Sequence, residues 1–383
     1  MRVPLAWRNL TASKKRLAIS TSGIVFAVVL MFMQIGFRNA LLDSSVEMMS
    51  YLNGNLFLIS STKYRLLTND PFPLRRVHQA RGIPGVTDAW PLYIETEAAV
   101  WKNPLERSSH AIRVLGFDPN DEVFALPVVR DQQRVLLRPD TVLLDDRSRE
   151  FVGIAPPGTK TELTGRSIEI VGHFTLGADF AVDGNLMTSD RTFERLFGNA
   201  HAMTSRLALV EIGVLRVADA GQIVLLQTQL QKALGHDVAV LTRPEFMAFE
   251  RRYWEKASPV GFVFGLGTVV GFVVGVMICY QILFTDLSDQ LPQFATLKAI
   301  GYDNGFLRRV VLVQSMLLSI FGYVPALGLS LLLYKLISVL AGLQMRLSGS
   351  LIVVMFGLTV VMCVLSGSLA VRKVLSTDPA EVF

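Results

Sequence analysis

The sequence predicts a membrane protein with four transmembrane α-helices plus a large α+β extracytoplasmic domain inserted between helices 1 and 2. Hydrophobic residues make up 51% of its 383 residues and charged residues only 18%, whereas soluble domains carry about 25% charged residues. Mean hydropathy is +0.42. Four long apolar runs lack any charged side chain, and the stretch between the first two alternates polar with apolar residues, as half-buried strands do.

Each apolar run is long enough to cross a bilayer, which takes about 20 residues in a helix. The runs cover 17–37, 257–285, 310–334 and 347–371. The predicted segments are an interfacial helix at 1–16, transmembrane helices at 17–37, 258–285, 310–334 and 347–371, an extracytoplasmic (periplasmic) domain at 38–257 with stalk helices at both ends, a cytoplasmic coupling segment at 286–309, a short periplasmic loop at 335–346 and a cytoplasmic tail at 372–383.

The distribution of Lys and Arg predicts which side of the membrane each segment faces. Basic residues precede the first run, lie between the second and third, and follow the fourth. By the positive-inside rule the termini are cytoplasmic in a multi-pass protein of the cell inner (plasma) membrane. A cleaved signal peptide is the competing interpretation of 17–37, but that run exceeds the signal core of about 7–15 residues, and no clear small-x-small cleavage site follows it.

The inserted stretch is predicted to be α+β and to bind no nucleic acid. Residues 38–256 hold 25 Lys and Arg against 27 Asp and Glu, so they offer no excess of basic charge. Apolar residues recur at helical spacing behind Pro244, with Phe246, Phe249 and Tyr253 on one side, which indicates a stalk helix. Strands are predicted at 55–60, 110–117, 167–176 and 205–216, and an amphipathic helix at about 222–234.

The sequence contains no pattern for catalysis, metal binding or a cofactor. None of the 29 glycines is followed by Lys, which excludes a Walker-type phosphate loop. The five His residues lack metal-ligand spacing, and Cys279 and Cys363 lie within apolar runs. The polar side chains of the runs are neutral ones such as Gln34, Gln281 and Gln314, whereas an ion-coupled carrier is expected to place a charged residue there. We therefore expect a chain that is not an enzyme and is not driven by ions.

The second run carries a stripe of small residues. Its glycines are Gly261, Gly265, Gly267, Gly271 and Gly275, which make three Gly-x-x-x-Gly steps. Such a face lets two helices approach closely. Packing between two copies in a dimer and packing against other spans of the same chain are both compatible with the spacing.

Between the second and third runs, residues from Pro292 onward fit a short amphipathic helix. Phe294, Leu297 and Ile300 recur at i, i+3 and i+6, and Gly301 stands where a helix would end, in the C′ position. A helix of this kind inserts its apolar side into a partner's groove, or it lies on the membrane surface as a connector. The periodicity leaves both interpretations open.

This segment, which reads FATLKAIG at 294–301, is similar to the coupling segment in permeases of the MacB/FtsX superfamily of ABC transporters. The DevC-type ABC exporter permease of that superfamily resembles the chain along nearly its whole length. At position 293 the chain has Gln, where many superfamily members carry an acidic residue. The blocks that carry the resemblance are 4–7, 30–37, 40–44, 174–178, 183–186, 280–283, 291–292, 372–373 and 378–383.

The resemblance implies a permease that pairs with a second copy of itself and with two copies of an ABC ATPase subunit, which bind ATP and Mg²⁺. It also implies a periplasmic adaptor (membrane fusion protein), a TolC-like outer-membrane channel and export of a glycolipid or other lipid-like substrate by mechanotransmission. The alternative is an FtsX-like regulatory membrane subunit that controls an extracytoplasmic hydrolase. The residues expected to couple to the ATPase are Leu291, Pro292, Phe294, Leu297, Lys298, Ile300 and Gly301.

Overall fold

The structure, a computed structural model, consists of two compact units. One unit comprises residues 1–40 and 259–383, and the other comprises residues 41–258. The predicted interfacial helix up to residue 13, the coupling segment at 292–299 and the end of the tail lie outside the described residues. The residues described are 14–177, 179, 182–198, 205–256, 259–291, 300–301, 303–341 and 345–375.

The described part of the chain forms nine α-helices and thirteen β-strands. The helices are α1 (Lys14–Ser50), α2 (Arg75–Arg81), α3 (Pro127–Gln132), α4 (Asp190–Phe197), α5 (Ile223–Leu234), α6 (Arg243–Lys256), α7 (Pro259–Asp289), α8 (Asn304–Ala341) and α9 (Gly349–Leu375). The strands are β1 (Leu56–Ser60), β2 (Phe72–Pro73), β3 (Val86–Glu95), β4 (Val100–Lys102), β5 (Ser109–Ala111), β6 (Arg113–Phe117), β7 (Thr141–Asp145), β8 (Lys160–Leu163), β9 (Arg166–Phe174), β10 (Asn185–Ser189), β11 (Leu209–Val210), β12 (Ile212–Val217) and β13 (Val238–Thr242).

Helices α1, α7, α8 and α9 are long and apolar enough to cross a membrane, which confirms the four predicted spans. All four run beyond the carboxyl ends of the apolar runs, and α1 and α8 do so furthest. Helix α1 continues past Phe37 to Ser50, and helix α8 continues past Tyr334 to Ala341. The first residues of the predicted loop at 335–346 are therefore helical, because Leu336, Ile337 and Leu340 extend the helix-favouring apolar pattern across Lys335.

Hydrogen bonds from aromatic and hydroxyl side chains join the helices of the membrane unit. Tyr323 Oη donates to the carbonyl of Ile352 at 2.6 Å, which links α8 to α9. Ser366 Oγ donates to the carbonyl of Val276 at 2.9 Å, which links α9 to α7. Because lipid tails offer no hydrogen bonds, such contacts and close packing hold transmembrane helices together. The buried residues of this core include Ile24, Met31, Phe32, Cys279, Met355 and Met362.

The inserted unit is built on an eleven-stranded mixed sheet. The strand order is β13-β1-β12-β3-β6-β10-β7-β9-β8-β4-β5, and β11 pairs with β2 in a separate ribbon. Neighbouring strands are antiparallel except for β6 with β10 and β7 with β9. Side chains alternate between two cores, as strand geometry requires. Leu56 and Leu58 face the core that α2, α4 and α5 cover, whereas Phe57 and Ile59 face the core containing Phe246 of α6.

The α+β prediction for this unit is confirmed, with differences at two strands. Helix α5 occupies the predicted helix at 222–234, and β1 and β9 occupy the first and third predicted strands. The strand predicted at 110–117 is divided at Ile112 between β5 and β6. The strand predicted at 205–216 begins as a 3-10 turn at Arg206–Ala208, because Ser205 caps that turn by accepting a hydrogen bond from the Leu207 amide.

Candidate functional site

The described residues of the predicted coupling segment lie at its two ends. Leu291 is half-buried and packs against the core of the membrane unit. The Ile300 side chain is 71% exposed. Gly301 has a φ of +101°, a backbone conformation that favours glycine. Pro292, Phe294, Leu297 and Lys298 lie outside the described residues.

Three glycines of the stripe on α7 contact other helices of the same chain. A Cβ atom at Gly267 would lie 2.7 Å from Gln34 Cδ, and one at Gly271 would lie 2.6 Å from Leu30 Cδ2, both on α1. At Gly275 it would collide with the Met362 sulfur of α9. Real Cβ atoms essentially never come this close, so a larger residue at any of these positions would make the facing side chain shift.

The other two glycines of the stripe are placed differently. Gly265 has no atom within 4 Å of the position that a Cβ would take, and Gly261 is half-buried. The stripe therefore has one part that packs within the chain and one position that is open. A second helix could approach α7 at Gly265 without displacing the contacts of Gly271 or Gly275.

Arg243, the first residue of α6, binds the carboxyl end of α1. Its Nη1 donates to the carbonyls of Met49 and Ser50, both at 3.0 Å. Its Nη2 donates to the carbonyls of Leu52 and Gly54, both at 2.6 Å. The last carbonyls of a helix have no partner within the helix, and a cation there also interacts favourably with the helix dipole. One guanidinium thus joins α1 and the start of β1 to α6.

Two further contacts support this connection. The rings of Phe57 and Phe246 stack with their centroids 4.9 Å apart, and Arg243 lies 5.5 Å above the Phe57 ring. Arg251 of α6 forms an ion pair with Asp43 of α1. We call Asp43, Phe57, Arg243, Phe246 and Arg251 the stalk junction. The junction fixes the two chain ends of the inserted unit to each other and to β1.

A buried carboxylate of α6 holds the loop between β1 and β2. Glu250 is 2% exposed and accepts hydrogen bonds from the Leu66 amide at 2.6 Å and from Trp254 Nε1 at 2.9 Å. Burial raises the pKa of Glu250, and the two donors oppose that rise. The carboxylate therefore fastens the loop to the helix that leads into the second span.

The same loop contains a buried lysine. Lys63 Nζ donates to the carbonyls of Thr68 at 2.9 Å and Asp70 at 3.4 Å. Burial lowers the pKa of Lys63, while the nearby negative charge of Glu211 opposes this change. Burial raises the pKa of Glu211, and its ion pair with Arg206 opposes that rise. These charges have partners close by, as buried charges generally require.

A second buried network fixes the loop between β9 and β10. Asp145 is fully buried and accepts from the Gly177 amide at 2.8 Å and from Asn185 Nδ2 at 2.7 Å. Arg113 donates from Nε to Asn185 Oδ1 at 2.8 Å and pairs with Asp179 at 2.7 Å. Gly177 and Asn185, which come from the sequence blocks at 174–178 and 183–186, are therefore both held by this network.

The described residues include hydrogen-bonding and packing groups but no candidate metal site. Among them, no group of three or more His, Cys, Asp or Glu side chains could hold a metal ion. In α8, Gln314 is buried, and Ser315 donates to the carbonyl of Val311 within the same helix at 2.9 Å.

Sequence reasoning missed the stalk junction and both buried networks. Arg243 and its acceptor carbonyls are about 190 positions apart in the chain, and a single sequence contains no signal for such a contact. One local signal was available. The Pro at 244, in the first turn of a helix, predicted α6, and Arg243 is the residue immediately before it.

The fold and these contacts describe a multi-pass membrane protein whose inserted domain is tied to the helices that enter and leave it. Within it, residues 265–379 match the family described as FtsX-like permease C-terminal. The matched part of the chain includes most of α7 and all of α8 and α9. Comparison with curated proteins found no match.

Two solved structures are similar to parts of the chain. The extracellular domain of the noncanonic ABC-type transporter YknZ from Gram-positive bacteria is 14% identical, with a TM-score of 0.36, over 49% of this chain and 99% of that one. The periplasmic region of MacB from Actinobacillus actinomycetemcomitans is 10% identical, with a TM-score of 0.35, over 51% of this chain and 91% of that one.

Proposed function

We propose that the chain is the permease subunit of an ATP-driven ABC exporter that works by mechanotransmission. Two copies pair with two ABC ATPase subunits, which bind ATP and Mg²⁺. The assembly lies in the inner membrane with the termini of the chain in the cytoplasm and the inserted unit in the periplasm. There it works with an adaptor and a TolC-like channel, and it exports a glycolipid or other lipid-like substrate.

The match of residues 265–379 to the FtsX-like permease family carries this proposal. The sequence supports a separate source of energy in two ways. It has no Walker-type loop, so ATP must be hydrolysed by a partner. Its four apolar runs have no charged side chain, so they lack the groups with which carriers usually couple transport to ions.

The stalk junction supports mechanotransmission. Helix α1 is continuous from Lys14 to Ser50, so a shift at its amino-terminal end is transmitted along its length. At its carboxyl end, the carbonyls of Met49 and Ser50 are bound by Arg243. Motion of α1 therefore reaches α6 and β1 through contacts within the inserted unit. Such a device moves the domain without a substrate having to cross between the spans.

ATPase stimulation tests the proposed coupling segment. The chain is reconstituted in vesicles with its partner ABC ATPase, and ATP hydrolysis is measured with and without the permease. Ile300→Asp places a charge on a 71% exposed apolar side chain. We expect it to abolish most of the stimulation while the protein still inserts. Leu105→Asp is the control, because Leu105 is similarly exposed, at 69%, in the inserted unit. Equal stimulation by both variants would contradict a docking role for this segment.

Co-purification separates export from regulation. Under the proposed function, the full chain with its ATPase captures the adaptor and the outer-membrane channel in one assembly. Stable capture of an extracytoplasmic hydrolase without an adaptor would instead support the FtsX-like regulatory function. Gradient-driven uptake by vesicles that contain the chain but no ATPase would overturn both.

A further inference from the structure

A groove with a charged end runs between α7 and α9 on the surface of the membrane unit. It encloses about 790 Å³ and is open along one side. Its lining from α7 includes Phe272, Val273 and Met277, and its lining from α9 includes Leu365 and Leu369. All of these side chains are apolar, and all are at least partly exposed; Met277 is 64% exposed. The groove is thus a surface that hydrocarbon can cover.

The two positive residues of the lining lie at one end of the groove. Arg372 and Lys373 are in the last turns of α9, whereas Leu365 lies two turns earlier. At 1.5 Å per residue, the distance along the helix from Leu365 to Arg372 is about 10 Å. Among the described residues, Arg372 forms no ion pair. A molecule that fits this layout has a negative head and a hydrocarbon tail of at least that length.

We propose that this groove binds an anionic phospholipid of the surrounding bilayer. The phosphate lies against Arg372 and Lys373, and one acyl chain lies along Val273, Met277 and Leu369. Basic pockets between transmembrane helices bind the heads of anionic lipids in this way, because the phosphate is fixed by charge and the chain by apolar contact. The site is independent of the proposed cargo and of which leaflet the basic end faces.

A lipid fits the groove better than the helix of a second copy does. The four apolar runs contain no acidic side chain, so a helix from a second copy would bring no partner for Arg372 from within a run. Asp286, which follows the second run, is buried within its own chain. A phospholipid supplies both the apolar chain and the negative charge.

Photolabelling in vesicles of defined composition tests the site. The full chain is reconstituted in phosphatidylcholine containing one fifth phosphatidylglycerol, with a trace of phosphatidylglycerol that carries a photoactivatable acyl chain. We expect the label on the peptides that contain Phe272, Val273 and Met277. Arg372→Gln with Lys373→Gln should lower this labelling by about 25-fold, since each basic residue near a membrane surface changes the affinity for anionic lipid by roughly fivefold.

Three controls make the result specific. Arg308→Gln with Arg309→Gln removes two exposed positive charges from the start of α8 and should leave the labelling unchanged. Arg372→Lys with Lys373→Arg keeps both charges and should preserve it. Photoactivatable phosphatidylcholine should label the groove several-fold less. Equal labelling by the two lipids, or no loss in the double Gln variant, would overturn the proposal. Cross-linking of Val273 to a second copy in place of lipid would also overturn it.

Discussion

At the scale of single residues, the inserted unit places charged side chains where partners offset the cost of burial. Arg113 is 2% exposed and Glu211 is similarly buried, and each pairs with an opposite charge. Removing one member of such a pair is strongly destabilising, because the other is left buried without a partner. Asp121 differs, since most of the charges near it are negative.

Substitution of Asp121 by Asn tests this difference. Burial, with the nearby negative charge of Asp118, raises the pKa of Asp121 to about 6, although the positive charge of Arg81 opposes the rise. The folded state therefore holds this proton more tightly than the unfolded state, in which the pKa is about 3.9. The charged form destabilises the fold, so stability falls as pH rises from about 4 to about 6 and stays lower above that.

We expect Asp121→Asn to raise the thermal midpoint of the detergent-solubilised chain at pH 7 and to leave it unchanged near pH 4. Solvent screening limits the gain to an order of 1 kcal/mol, because the side chain is only half-buried. Glu97→Gln is the control, since Glu97 is exposed and its removal should change neither midpoint. A gain of equal size at pH 4 and pH 7 would show that the carboxylate charge is not the cause.

At the scale of elements, α7 is the helix whose packing the sequence alone left undecided. The structure brings Gly271 against α1 and Gly275 against both α1 and α9, while no atom of the described residues lies within 4 Å of the position that a Cβ at Gly265 would take. One turn away from the contact at Gly275, α7 and α9 also approach closely, because the sulfur atoms of Cys279 and Cys363 lie 4.0 Å apart. Gly271 and Gly275 of this helix therefore pack within the chain, whereas a second copy could approach the same helix at Gly265.

Valine substitutions separate the two roles of this helix. Gly275→Val forces a side chain into the Met362 sulfur, and overpacking of this kind costs about 1–3 kcal/mol. We expect it to lower the thermal midpoint of the solubilised chain by several degrees. Gly265→Val meets nothing and should leave the midpoint unchanged. Chemical cross-linking of the reconstituted chain reports the dimer fraction of both variants. An unchanged midpoint for Gly275→Val would contradict the packing at this position.

The elements also show which parts of the fold the sequence could predict. The spans were predictable because a run of 20 or more apolar residues has few other stable environments. Strand β3 was not, because Asp88 and Pro91 interrupt its alternation and only its pairing with β12 and β6 makes it a strand. Strand β10 carries Asn185 and Thr188 in the core, which polarity argues against. Those side chains are tolerated because Asp145, Gly177 and Thr141 satisfy them.

At the scale of the whole molecule, the candidate site depends on contacts between distant parts of the chain. The glycine stripe was visible in the sequence because its residues are close neighbours on one helix, and the coupling segment was predicted from a spacing that is equally local. The stalk junction was not, because Asp43 meets Arg251 across 208 positions. Local patterns thus predicted where motion would enter, and only the folded chain identifies the contacts that we propose to carry it through the inserted unit.

Substitution of Arg243 by Ala tests whether the stalk junction carries that motion. It leaves four carbonyls without their donor, and it leaves the sequence of the coupling segment unchanged. In vesicles with the ATPase, we expect stimulation of ATP hydrolysis to persist. In the wild type, ATP should change amide hydrogen exchange in β1 and β13 of the inserted unit, and this change should be lost in Arg243→Ala.

Arg130→Ala, which removes an exposed arginine of α3, is the control and should behave as wild type. Exchange in β1 without ATP checks that the variant is folded, because the unmet carbonyls cost about 1–3 kcal/mol. If ATP still changes exchange in β13 of a folded Arg243→Ala variant, the motion reaches the inserted unit by another route.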